Sequence, residues 1–366
     1  MGNRPSTVVV ALSGGVDSSV AAALLLKEGW EVWGLHFLLP GSPSKGKEKA
    51  ESVQRAARHL QISVDFIHLE EVFESKVIQP FMDLYLKGLT PNPCALCNQV
   101  IKFDQLVQYA DQRGIEHMAT GHYANLRRRE GPVELWRGID VDKEQSYFLH
   151  RLNQAHLSRA LFPLGGIRKK ETRSIALKQG LPTTSEPESQ EICFLPGNDY
   201  RLFLEARKGG GIIKKGDILD GGGRRLGEHL GTYRFTIGQR HGLGIASSRP
   251  YYVTDIRPEK NQVIVGRKED VYSIRVEAEA FNWLNGGPPQ GRDGLMAQIR
   301  YRHLPAPGRL EILSPDRVIF EFEEPQWGVT PGQALVLYEG ERLLGGGWIT
   351  EGRGSRLTEQ DEKPKT

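Results

Sequence analysis

Ser13-Gly14-Gly15-Val16-Asp17-Ser18-Ser19 stands between two apolar runs of different character. Before it, Val8-Val9-Val10-Ala11-Leu12 is β-branched and reads as a buried strand. After it, Val20 to Leu26 is rich in Ala and Leu and reads as a helix. Two glycines at a strand-to-helix turn let the backbone come close to an anion. The flanking hydroxyls add donors, and the helix N-terminus favours negative charge. No Lys follows, so this is not the GxxxxGK loop of the common NTPases. The alternative is an ordinary helix start with Ser13 or Asp17 as its cap. The paired glycines between hydroxyl residues favour a phosphate, and so a nucleotide site.

The chain has 366 residues, enough for two or three domains with cores of their own. At 39% hydrophobic and 25% charged it has the composition of a globular protein. It shows neither a run of about 18 apolar residues nor a signal-peptide pattern, so a cytoplasmic protein without a membrane partner is expected. A net charge of +3 permits a nucleic-acid partner without requiring one. Three cysteines cannot form a fully paired disulfide framework, which makes them candidates for chemistry.

Downstream, Glu31 to Leu38 reads as a second buried strand, Pro40 to Lys49 as a loop, Ala50 to Leu60 as a helix and Val64 to Leu69 as a strand. This alternation predicts a parallel α/β sheet with ligands beyond the carboxyl ends of its strands. Phe37 would then line an adenine pocket or belong to the core. Thr90-Pro91-Asn92-Pro93-Cys94-Ala95-Leu96-Cys97-Asn98 presents two thiols on a proline-stiffened turn ahead of a helix over Lys102 to Gln112. A helix start is expected to lower a thiol pKa, and a zinc half-site or a structural pair is the alternative. His117 to Tyr123 reads as a strand ending in Gly121-His122, with His122 at the rim of a cleft. A charged surface helix is expected over Lys169 to Gln179. Cys193, among Ile192, Phe194 and Leu195, has the surroundings of a buried, inert cysteine. From about Lys208, glycine-punctuated β runs suggest a small β-rich module. From Val276 on, strands including Ala297 to Tyr301, Val318 to Phe322 and Ala334 to Tyr338 suggest a β-barrel. The charged tail, Arg356 to Thr366, is expected to be disordered.

Taken together, these segments resemble one family, the tRNA-specific 2-thiouridylases, within the ATP pyrophosphatase superfamily. The SGGVDSS loop alone resembles the superfamily. TPNPCALCN at Thr90 to Asn98, ATGHYA at Ala119 to Ala124, KEQSYFL at Lys143 to Leu149 and EICFLPG at Glu191 to Gly197 narrow it, as does GTYRFTIGQRHGLGI at Gly231 to Ile245. Segments around Arg300-Tyr301 and Thr330 to Gln333 also fit, so the resemblance covers residues 6 to 350. It implies a parallel-sheet ATP pyrophosphatase domain over 1–205, a small β-rich domain over 206–273, a β-barrel over 274–352 that binds tRNA, and a tail over 353–366.

The implied activity is ATP-dependent 2-thiolation of the wobble uridine of tRNA, using Mg2+ with the ATP. Glutamate, lysine and glutamine tRNAs are the implied acceptors, and a cysteine desulfurase or persulfide relay protein the sulfur source. Cys193 would carry the persulfide and Cys97 would be its partner thiol. Ala11, Leu12, Ser13, Gly14, Gly15, Val16, Asp17, Ser18, Phe37 and Gly121 would surround ATP. Asn92, Pro93 and Cys94 would meet the target base. His122, Lys143, Glu144, Gln145, Arg300, Tyr301 and Gln333 would contact the tRNA. The chain departs from the family in having Cys94 where many members carry Asp, and in a short segment after Phe37. Three cysteines in the site also raise a [4Fe-4S] cluster on Cys94, Cys97 and Cys193 as a second mechanism. The rival functions are an amidotransferase-type synthetase on the same loop and an RNA-binding module with structural zinc. Neither accounts for both cysteine motifs.

Overall fold

The computed structural model describes residues 6–41, 43–184 and 192–353. The N-terminal part opens with β1 (Thr7–Ala11), α1 (Val16–Lys27), β2 (Glu31–Leu38), α2 (Pro43–Leu60) and β3 (Ser63–His68). A helical layer follows: α3 (Glu70–Phe73), a π-helical turn (Glu74–Ile78), α4 (Gln79–Leu86) and α5 (Pro93–Cys97). A second π-helical turn (Asn98–Phe103) leads into α6 (Asp104–Arg113). After them come β4 (His117–Ala119), β5 (Ala124–Arg127), β6 (Glu134–Arg137), α7 (Gln154–Leu157), β7 (Ala160–Leu161), α8 (Lys169–Lys178) and α9 (Tyr200–Lys208). The five-stranded sheet has the order β3-β2-β1-β4-β7, parallel throughout, as the strand–helix alternation predicts. Val8, Val9 and Val10 are fully buried at its centre, which is why a continuous β-branched run occupies that strand.

The expected loop over Pro40 to Lys49 is largely helix, since α2 begins at Pro43. A proline at the first helical position has no amide hydrogen to lose and a φ already suited to the helix. The Gly/Ser/Pro/Lys composition therefore misled here.

β8 (Gly216–Asp220), β9 (Arg225–His229), β10 (Tyr252–Arg257) and β11 (Gln262–Gly266) form a mixed four-stranded sheet, order β10-β11-β8-β9, with its own core around Ile218, Val253, Val263 and Val265. The remaining strands are β12 (Tyr272–Trp283), β13 (Leu295–Gln298), β14 (Ala306–Ser314), β15 (Arg317–Trp327), β16 (Ala334–Glu339) and β17 (Arg342–Arg353). They run in the order β12-β15-β14-β13-β16-β17, and pairing of β12 with β17 closes the barrel. The expected strand over Ala297 to Tyr301 stops at Gln298, leaving Arg300-Tyr301 on a turn. Arg356 to Thr366 lies outside the described residues.

The units are not strung out independently. Hairpin β5–β6 pairs with β17, Leu135 opposite Leu343, and so extends the C-terminal sheet. One core cluster includes Val9, Leu35 and Met118 of the parallel sheet, Tyr147 and Leu149, and Ala334, Val336 and Leu343 of the barrel. Among the described residues no helix is long and apolar enough to cross a membrane.

Candidate functional site

The SGGVDSS turn leaves the carboxyl end of β1 and delivers α1 beyond it. Gly15 occupies the N-cap with an extended backbone, and no side chain caps the helix. The expected alternative, a cap from Ser13 or Asp17, is therefore not what these residues do. Instead, Ser18 Oγ accepts from Ser13 N at 3.1 Å, lies 3.2 Å from Ser13 Oγ and donates to Gly15 O at 3.2 Å, drawing the turn into a compact loop. Gly14, at φ +81°, gives its carbonyl to Ser52 Oγ of α2 at 3.0 Å. An uncapped helix start behind a glycine loop is a fitting seat for phosphate oxygens.

Asp17 points away from the cap position. Lys169 Nζ, at the first residue of α8, donates to its two carboxylate oxygens at 2.6 and 2.7 Å, and Tyr123 Oη lies 2.9 Å from Oδ1. Tyr123 Oη also lies 2.9 Å from Thr172 Oγ1, so α8 is fastened to the loop at two points. Gly121 closes the other side. A Cβ there would stand 2.8 Å from Ser18 N and 2.9 Å from Asp17 C, so only glycine lets the two backbones touch. His36 Nδ1 lies 2.7 Å from Leu12 O; a carbonyl only accepts, so Nδ1 carries the proton. Burial lowers the His36 pKa and keeps the ring neutral. Phe37 is half-buried, packed against two core clusters near the end of β2.

The thiols lie on and beside α5. Asn92 caps this short helix, accepting from Ala95 N at 3.3 Å, with Pro93 at the first turn. Cys94 is exposed on one side, and Cys97 is half-buried against the cluster holding Phe73, Phe81 and Ile101. Phe194 enters that same cluster, edge-on to Phe73 and Phe81 at 5.6 and 5.1 Å. It thereby brings the exposed thiol of Cys193 to the same place. The electrostatic fields of the three sulfurs overlap: ionisation of Cys193 disfavours that of both Cys94 and Cys97.

The expected lowering of the thiol pKa is not found. Desolvation by the surrounding protein pushes Cys94 up to about 11 and Cys97 up to about 12, against the opposing pull of Lys102. Five residues of helix supply too little field to outweigh that loss of water. The expectation that Cys193 is buried also fails: its aromatic neighbour goes into the core and the thiol remains outside. As placed, the three cysteines do not fit a [4Fe-4S] cluster, since among the described residues no three His, Cys, Asp or Glu side chains form a metal-holding group. Mg2+ usually binds through one or two carboxylates together with substrate phosphates, so the absence of a three-ligand group does not bear on it.

Other predicted contact residues are engaged inside the protein. His122, expected at a rim, is buried, with Nδ1 2.7 Å from Thr120 Oγ1 and its ring stacked on Phe103 at 6.0 Å. Burial, reinforced by Lys102, holds its pKa well below the usual range. Lys143 is half-buried; Glu144 is buried and accepts from Arg137 Nε at 3.2 Å. Gln145 Oε1 accepts from Tyr123 N at 3.0 Å. Arg300 donates to Trp327 O at 2.8 Å, and Tyr301 packs on Phe148 at 4.4 Å between ring centres. Gln333 Nε2 donates to the carbonyls of Thr90 and Pro91 at 2.9 and 3.2 Å.

Sequence reasoning missed Lys102 and Lys169. Lys102 exerts its charge on Cys94, Cys97 and His122, and so links the thiols to the segment whose Gly121 touches the glycine loop. Lys169 reaches Asp17 across 152 positions. No local pattern marks either residue: Lys102 lies in the second π-helical turn and Lys169 opens α8.

Three family models match in order: a tRNA methyl transferase HUP domain over 6–197, a tRNA methyl transferase PRC-barrel domain over 207–267 and an aminomethyltransferase β-barrel domain over 273–349. The tRNA-specific 2-thiouridylase MnmA of Carboxydothermus hydrogenoformans is 46% identical over 354 residues, 93% of this chain and 97% of that protein. Its counterpart from Syntrophotalea carbinolica is 45% identical over 95% of this chain and 100% of its own length. That from Geobacter metallireducens is 44% identical over 93% and 96%. A likeness of this degree, spanning the glycine loop, both cysteine segments and all three folded units, makes this chain a member of the tRNA-specific 2-thiouridylase family.

Proposed function

We propose that this protein catalyses ATP-dependent 2-thiolation of the wobble uridine of tRNA, with glutamate, lysine and glutamine tRNAs as acceptors. The observation that carries this reading is the convergence of two thiol-bearing segments on one core cluster, in a domain that also presents an uncapped, glycine-lined helix start. The uridine C2 oxygen is a poor leaving group. Attack by that oxygen on the α-phosphorus of ATP expels pyrophosphate and converts it to an AMP ester, which leaves readily. The glycine loop and the start of α1 would hold the phosphates, and Lys169 would keep Asp17 neutralised beside them. Magnesium would add positive charge on the phosphates.

Sulfur would come from a persulfide on Cys193, loaded by a cysteine desulfurase or a persulfide relay protein. Exposure of Cys193 suits a thiol that an external donor must reach. The terminal persulfide sulfur would attack C2 and AMP would depart. Cys97 thiolate would then attack the inner sulfur, breaking the S–S bond. The transferred sulfur stays on C2, a Cys97–Cys193 disulfide forms, and a dithiol reductant reopens it. Lys102 supplies the positive field that helps Cys97 lose its proton. The base must leave its stack to reach these groups. Asn92 and Cys94 stand at the start of α5, where it would arrive.

All three of the matched family models bear methyl- or aminomethyl-transfer names. A methyl transfer needs neither an ATP phosphate seat nor paired thiols, so the residues favour thiolation. The test is incubation of unmodified tRNA with ATP and a persulfide donor, followed by nucleotide and nucleoside analysis. AMP, pyrophosphate and 2-thiouridine should appear together and only with tRNA. A methylated nucleoside, or ADP in place of AMP, would refute the reading.

A further inference from the structure

The turn that leads into β16 is hydrogen-bonded directly to the segment that carries Cys94 and Cys97. Thr90 N donates to Pro331 O at 2.9 Å, and Gln333 Nε2 returns hydrogen bonds to Thr90 O at 2.9 Å and Pro91 O at 3.2 Å. Between them sits Gly332, at φ +91°, where a Cβ would lie 2.8 Å from Thr90 O and 3.0 Å from Thr90 C and N. The next residue continues the seam. Tyr147 Oη donates to Ala334 O at 3.1 Å, and Ala334 N lies 3.3 Å from the same oxygen. Asn92, the cap of α5, counters the burial that raises the pKa of Tyr147. From the central unit, Thr90 Oγ1 donates to Thr236 Oγ1 at 3.2 Å. Thr90 is therefore a residue where all three folded units meet.

We propose that Gln333 is a positioning residue of the cysteine site: the barrel, through Gln333 and Gly332, fixes Thr90-Pro91 and thereby sets where α5 presents Cys94 and Cys97. The chain between clamp and thiol is short and stiff. Asn92 is tied by its cap bond, and Pro93 has a fixed φ, so a displacement of Thr90-Pro91 passes directly into α5. A barrel that holds the cysteine loop in this way couples whatever docks on it to the sulfur chemistry. Thiolation is the activity this would serve, which rests on the proposed function; the clamp itself does not.

The test compares full-length wild type with Gln333→Glu and Gly332→Ala. The first keeps the side-chain length but turns a carboxylate towards two carbonyls. The second drives a methyl group into the Thr90 backbone without altering any polar side chain. In protein without tRNA, the readouts are iodoacetamide alkylation of each cysteine by mass spectrometry and amide exchange over Thr90 to Asn98. Circular dichroism confirms folding, and Gln333→Asn, one methylene shorter with its donor retained, serves as the mild variant. Both main variants should speed exchange over that segment and change Cys97 alkylation by roughly five-fold or more, the scale of one lost hydrogen bond. The mild variant should fall between them and wild type. Unchanged alkylation and exchange in both main variants overturns the proposal, whether or not tRNA affinity falls. Because neither readout needs turnover, a clamp response in protein that does not thiolate would refute the proposed function alone.

Discussion

Lys102 and Lys169 set the charge balance of the site from opposite sides. Lys102 faces the thiols, whose ionisation the protein surroundings oppose. With the Cys97 pKa pushed up to about 12, only its neutral form is populated at neutral pH. Its folded-state value lies above the free-thiol value of 9.0, so the stability it contributes is present below pH 9 and lost as the pH climbs towards 12. The alkylation rate of Cys97 should accordingly rise about ten-fold per pH unit from pH 7 to 9 with no plateau, because the thiolate is the reacting species. A plateau near pH 8 would show a thiol activated in the resting protein. On the other side, Lys169 is largely buried and neutralises Asp17 beside the phosphate seat. Replacing it by Met removes a charge-assisted pair worth about 1.5–3 kcal/mol, so KM for ATP should rise roughly ten-fold or more. An unaltered KM would mean that Asp17 and Lys169 only fasten α8.

Elements explain which parts of the site could be read in advance. The glycine loop was legible because strand, turn and helix each carry their own local signature, and the phosphate reading follows from backbone chemistry alone. Cys97 and Cys193 were visible as residues, but their environment was not. A thiol pKa depends on how much water the fold removes, and that cannot be read from five residues of helix. Likewise Glu144, Gln145 and His122 look like surface polar residues, while their partners Arg137, Tyr123 N and Thr120 hold them within the protein. Gly121 belongs to this scale, since its place is set by the approach of β4's end to the start of α1. Gly121→Ala should push the loop away and abolish ATP-induced thermal stabilisation, while melting without nucleotide falls by only a few degrees, as for a loss of about 1 kcal/mol. Retained stabilisation by ATP would show that the loop can shift without cost.

At the scale of the whole molecule, the order of units was legible from glycine punctuation and strand spacing, but their interlocking was not. Nothing local in Ala124 to Arg137 announces that this hairpin completes a sheet two hundred residues downstream, or that Tyr147 shares a core with Ala334 and Val336. The barrel is thus both a separate fold and part of the wall against which the cysteine segment is held. The proposed thiolation would draw on both sulfurs, contributed by segments far apart in sequence and joined by the cluster around Phe73 and Phe194. The most direct measurement is single-turnover thiolation of unmodified glutamate, lysine and glutamine tRNA transcripts with Mg-ATP and a persulfide donor. Mercury-affinity gels would compare wild type with Cys94→Ala, Cys97→Ala and Cys193→Ala. Thiolated tRNA from wild type and Cys94→Ala, and none from Cys97→Ala or Cys193→Ala, is the predicted result. Loss of activity in all three variants together with dependence on bound iron, or a wild type that thiolates no transcript, would contradict the account.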